Sequence, residues 1–104
     1  MTVIQRRVFY GKVGTASSLV EWAKEMYGLI AAQDDSLVYR IMTDHQSGRT
    51  DRLVVDLEVD SFSQLDEVIE RTMADLDAQP KFIAAFEKLS PLIDFAEVEQ
   101  WSLH

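Results

Sequence analysis

The sequence predicts an α+β domain of the ferredoxin-like kind, with the element order strand-helix-strand-strand-helix-strand. Three observations predict it. Residues 52–60 alternate strictly, with Leu53, Val55, Leu57 and Val59 on one side and Val54, Asp56 and Glu58 on the other. That is the pattern of a strand with one buried face. Two other stretches space their apolar residues three and four apart, as a helix lying on a core does. Finally, strand-helix-strand occurs twice in succession, which is the split βαβ arrangement: four antiparallel strands with two helices packed on one face.

The first strand is expected at residues 3–10, rich in β-branched and aromatic side chains. Gly11-Lys12-Val13-Gly14 then turns the chain, with Thr15 as a candidate N-cap and Ser18-x-x-Glu21 as a second option one turn on. Ala16, Leu19, Val20, Ala23, Tyr27, Ile30 and Ala31 form the stripe of the first helix, which should reach about Ala32. Residues 37–43 read as the second strand. A connection of a few residues containing Gly48 leads from it into the strand at 52–60. Ser61-x-x-Gln64 is a capping box, and Phe62, Leu65, Ile69, Thr72, Met73 and Leu76 continue the helix it opens. Pro80 starts a shorter helical segment edged by Phe82, Phe86 and Leu89, Ser90-Pro91 stops it, and residues 94–103 make the last strand.

A chain of 104 residues has room for one domain, here residues 1–104, and its 47% hydrophobic and 27% charged composition is that of a folded one. There is no cysteine, which excludes disulfides, thiolate metal sites and thiol nucleophiles. The net charge of −8 sits almost wholly in the second half, where twelve carboxylates meet three cations. Arg6-Arg7 is too small a basic patch for a phosphate backbone, so neither nucleic acid nor a membrane surface is an expected partner. The start has no apolar run of signal-peptide length and no stretch is long enough for a membrane span. A cytoplasmic location is expected.

The sheet face that the helices leave bare is not simply polar. Phe95 and Trp101 share a face with Glu97 and Glu99, and the first two strands carry large apolar groups on both sides. Strands of that kind have both faces covered, and a second copy of the same sheet is the simplest cover, so a two-fold homodimer is expected.

The chain resembles the dimeric α+β barrel superfamily over nearly its whole length. The residues carrying the resemblance are the strand at 3–10 running through Gly11 and Gly14 into a helix, and the long hairpin around Gly48. To these are added the aromatic segment Gln79-Pro80-Lys81-Phe82-Ile83-Ala84-Ala85-Phe86 and the strand ending Glu97-Val98-Glu99-Gln100-Trp101. The last two look most like the NIPSNAP-type and antibiotic-biosynthesis-monooxygenase-type branches. The superfamily holds cofactor-independent monooxygenases, haem-degrading enzymes, isomerases, sensing domains and others, so the fold does not choose a function. The resemblance implies a small hydrophobic or aromatic ligand held between sheet and helices.

The candidate site follows from that implication. Tyr10 and Tyr39 lie on strands and can supply hydroxyls, His45 sits in the hairpin, and Phe82 and Phe86 stand one helical turn apart. No cofactor and no metal is expected. The chain has two histidines and no close pair of them, and it lacks the asparagine that the haem-degrading branch uses. Asp56, Glu58, Glu97 and Glu99 can converge on one sheet face as an acid-base or cation site, or pair with Arg6 or Arg7 and Arg40. Two functional classes follow: a protein that binds or transforms a small aromatic compound, at most in the manner of a cofactor-independent monooxygenase, and a non-enzymatic dimeric module that senses or scaffolds. A pocket with a tyrosine or histidine in it favours the first, and a filled space between sheet and helices the second.

Overall fold

The computed structural model describes residues 2–44 and 50–104. The chain runs through β1 (Thr2–Gly11), α1 (Ala16–Ala31), β2 (Val38–Thr43), β3 (Arg52–Val59), α2 (Phe62–Ala74), α3 (Ala78–Leu89), one 3-10 turn (Ser90–Leu92) and β4 (Ile93–Leu103). Among the described residues the four strands form one antiparallel sheet in the order β2-β3-β1-β4. This is the expected ferredoxin-like topology. The helical layer covers one side only, making a plate 37 × 35 × 18 Å. No helix among the described residues is long and apolar enough to cross a membrane.

Register decides which residues share a face. Val3, Phe9, Leu53, Val55, Leu57 and Val59 are all nearly inaccessible, and the pairs Val3↔Val59, Arg7↔Val55 and Phe9↔Leu53 put them on the helix side. Leu19, Trp22, Ala23, Met26, Tyr27 and Ile30 of α1 meet them there, with Leu65 and Val68 of α2 and Ala85 of α3. The even residues of β1 therefore face away from the helices.

The helical layer divides after α2, and the shorter segment expected from Pro80 is a helix of its own, α3. The chain breaks at Asp75, whose Oδ1 accepts the backbone N–H groups of Asp77 and Ala78 at 2.9 and 3.0 Å. A third helix thus starts two residues before Pro80, which still lies in the first turn, where a missing N–H breaks no helical bond. Leu65, Val68 and Thr72 form the buried side of α2, with the Thr72 hydroxyl donating to the Val68 carbonyl at 2.9 Å. Phe62 and Leu76, expected in that stripe, are exposed, because one opens the helix and the other lies past its end.

Capping also differs in detail. Thr15 stands at the N-cap of α1, yet its hydroxyl donates to the Lys12 carbonyl, and Ser18 lies inside the helix. The Ala16 N–H goes instead to the carboxylate of Asp51, 35 residues ahead, at 3.0 Å. At α2 only the return half of the box resembles its plan: Gln64 Oε1 accepts the N–H of Asp60, while Ser61 bonds Ser63.

Candidate functional site

The strand period puts Gln5, Arg7 and Phe9 of β1 under the helices. A cleft of about 160 Å3 opens there, with Arg7 and Phe9 in its floor. Trp22, Met26, Tyr27 and Ile30 of α1, Ile69 of α2, and Phe82, Phe86 and Leu89 of α3 make its walls. These α1 residues recur at three- and four-residue steps, so one helical stripe supplies a whole wall.

Its aromatic groups are held firmly. The Trp22 indole N–H donates to the Ala85 carbonyl at 2.8 Å, tying α1 to α3. Phe9 meets Trp22 edge to face with ring centres 5.0 Å apart, and Tyr27 stands perpendicular to Trp22 at 6.5 Å. Such edge contacts are preferred over face-to-face stacking by the ring quadrupoles. Phe82 is half-buried, and Phe86 at the mouth is 63% exposed. A second hollow of about 230 Å3 shares Phe86 and Leu89 and continues to Ser90, Ile93 and Asp94. Beside it Ala96, Val98, Gln100 and Ser102 form the helix-side face of β4, and all four are exposed. The cleft is open toward β4 for this reason.

Two polar groups interrupt the apolar lining. The Tyr27 hydroxyl is pushed up to about 12 by burial, with the charge of Arg7 pulling the opposite way. Arg7 donates from Nε to Gln5 Oε1 at 3.2 Å. A cleft with apolar walls and a few convergent polar groups suits a small, flat organic molecule.

The opposite face of the sheet is built differently. Arg40, Asp56, Arg6 and Glu99 lie side by side across the four strands, one from each, with alternating sign. Arg6 binds Asp56 through two bonds of 2.8 and 2.9 Å, and Arg40 meets Glu58 at 3.3 Å. Asp56 is 4% exposed, and its hydrogen bonds from Arg6 hold its carboxyl below the ordinary range against the cost of burial. The four carboxylates considered for cation or acid-base work do share this face, but arginines separate Asp56 from Glu99 and answer Asp56 and Glu58. Among the described residues no cluster of histidine, aspartate and glutamate is arranged to hold a metal. A hollow of about 450 Å3 lies on the same face, bounded by Tyr10, Met42, Asp44, Arg52 and Val54, with Arg52 bonded to Asp44.

The residues proposed from sequence separate accordingly. Phe82 and Phe86 line the cleft together, and Tyr39 stands behind Tyr27 with ring centres 5.9 Å apart. Tyr10 does not join them. It pairs with Arg52 and Phe95 on the bare face and stacks on the Phe95 ring at 4.3 Å, so its hydroxyl cannot serve a ligand beneath the helices. His45 lies outside the described residues. Sequence reasoning missed Arg7, Trp22 and Tyr27. A signal for Arg7 was present: it is the one charge in the phase of β1 that also holds Val3, Gln5 and Phe9.

No family model matches the chain, and no curated protein sequence matches it. Solved structures do. An uncharacterized NIPSNAP domain protein from Burkholderia xenovorans superposes with a TM-score of 0.77 at 19% identity, over 98% of this chain and 94% of that one. A NIPSNAP family protein from Agrobacterium tumefaciens gives 0.78 at 14%, over 100% and 94%. SnoaB, a cofactor-independent oxygenase from Streptomyces nogalater, gives 0.71 at 13%, over 99% and 93%. Identities this low establish a shared α+β fold of the kind the resemblance implied.

Proposed function

We propose that this protein binds a small aromatic molecule in the cleft between β1 and the helices α1 and α3. The observation that carries the reading is the aromatic wall of Trp22, Tyr27, Phe82 and Phe86 around an unfilled space that holds two polar groups. A scaffolding module has no need of that space, since packing would fill it. Tyr27 in the wall is the feature that separates the two classes. The fold likeness to a cofactor-independent oxygenase makes oxidation of the bound aromatic the first reaction to assay. The same proposal includes a two-fold dimer formed through the bare face of the sheet, which leaves the cleft on the helix side of each sheet, away from the partner.

The test is thermal denaturation and calorimetry with 2-naphthamide, a neutral two-ring compound. A bound ligand raises the melting temperature. Phe82→Ala and Phe86→Ala should each weaken binding by about fivefold, roughly 1 kcal/mol. Tyr10→Phe should leave affinity unchanged, because Tyr10 lies across the sheet. If the compound neither binds nor responds to the phenylalanine changes, the space is a packing defect and the dimeric module becomes the better reading.

A further inference from the structure

Arg6 and Arg7 are neighbours in sequence and opposites in structure. Arg6 falls on the bare face, where two hydrogen bonds tie it to Asp56. Arg7 falls on the helix side, half-buried, where its hydrogen-bond partner among the described residues is the neutral Gln5. That bond uses Nε and leaves the other guanidinium donors for a further partner. Among the described residues no carboxylate lines the cleft to supply one. Gln5 itself is 9% exposed, so the group that orients Arg7 is fixed by packing. A positive charge kept beside apolar walls without a protein anion is costly unless something else answers it.

We infer that the cleft takes small aromatic acids, whose carboxylate pairs with Arg7 and accepts a hydrogen bond from the Tyr27 hydroxyl. The inference rests on the reading that the cleft binds aromatic molecules, and it adds the charge of the ligand. The geometry suits it in two ways. A guanidinium presents parallel N–H donors that match a planar carboxylate. A tyrosine is protonated through the physiological range in any case, and burial raises Tyr27 further, so there its hydroxyl is a donor to an anion and not a competing charge.

The experiment compares two probes of one shape, 2-naphthoate and 2-naphthamide, by calorimetry on the whole protein. Naphthoate should bind about tenfold more tightly. Its advantage should shrink as salt is raised, while naphthamide is indifferent to salt. Arg7→Met keeps the length of the side chain and removes the charge, and it should equalise the two probes. Tyr27→Phe should weaken naphthoate by several-fold and keep the ring. Equal affinities in the parent protein, or an advantage for naphthoate that survives both Arg7→Met and high salt, would overturn the inference while leaving the cleft as an aromatic site. The parent comparison and the salt series do not depend on how well Arg7→Met folds. If neither probe binds, the underlying reading fails, and the inference fails with it.

Discussion

At the scale of single residues, Tyr27 and Gly11 make the sharpest statements. Tyr27 is 6% exposed, and burial raises its hydroxyl to about 12. In the unfolded chain a tyrosine ionises near pH 10. The neutral form is thus favoured by folding, and the stability it contributes is complete below pH 10 and lost as pH rises from about 10 through 12. Ultraviolet titration should show one of the three tyrosines ionising last, and Tyr27→Phe should remove that step and flatten the alkaline loss of stability. Gly11 is required for closeness, with its N–H bonded to the Asp51 carbonyl at 2.9 Å. A Cβ there would sit 2.5 Å from that same carbonyl oxygen and 2.5 Å from Thr15 Oγ1. Gly11→Ala should cost about 1–3 kcal/mol in denaturant unfolding, the range for overpacking a tight site.

At the scale of elements, two helices start on carboxylates that lie outside them. Asp51, in a left-handed conformation with φ 58°, caps α1, and Asp75 caps α3. Backbone N–H bonds from Gly14 and Ala16 lower the carboxyl of Asp51, and those from Ala78, with help from Gln33, lower that of Asp75. Asp34 is brought to about 2 by Ser36 and Gln64. Each is an acid favoured in its charged form by folding. Their stabilisation is present above the ordinary carboxylate range near pH 4 and is lost as pH falls through the lowered values. Asp51→Ala should therefore lower the melting temperature at neutral pH and make it less sensitive to acid as pH falls below about 4, as followed by circular dichroism. Asp51→Asn should recover part of the neutral-pH loss, because an amide oxygen still accepts the Ala16 N–H.

At the scale of the whole molecule, the plate leaves one face of its sheet uncovered. Val38, Met42, Phe95, Trp101 and Leu103 on that face are each between 39% and 57% exposed. They flank the row of alternating charges, whose members largely neutralise one another. A face about 37 by 35 Å has room for the roughly 800 Å2 per partner that a stable dimer buries. Light scattering at micromolar concentration should give twice the 11.9 kDa chain mass, and Trp101→Glu should shift it toward one. A parent protein that stays monomeric would remove the dimer and leave the helix-side cleft as it is.

The element order, the class of fold and the alternation of β3 were determined by the sequence alone, because side-chain period is a local property that each segment carries by itself. The same locality explains what the sequence left open. On β1 both phases mix apolar and polar residues, Val3 and Phe9 with Gln5 and Arg7 against Ile4, Val8 and Tyr10 with Arg6, so no pattern within the strand says which phase meets the helices. Pairing to β3 decided it through Val3↔Val59, and that one register sent Arg7 into the cleft and Tyr10 away from it. Capping of α1 was undecided for a related reason: the acceptor is Asp51, brought to Ala16 by the packing of a hairpin and not by its place along the chain. The cleft belongs to the same class of feature. Trp22, Phe82 and Arg7 come from three separate segments, and only their packing around a common space makes a site of them.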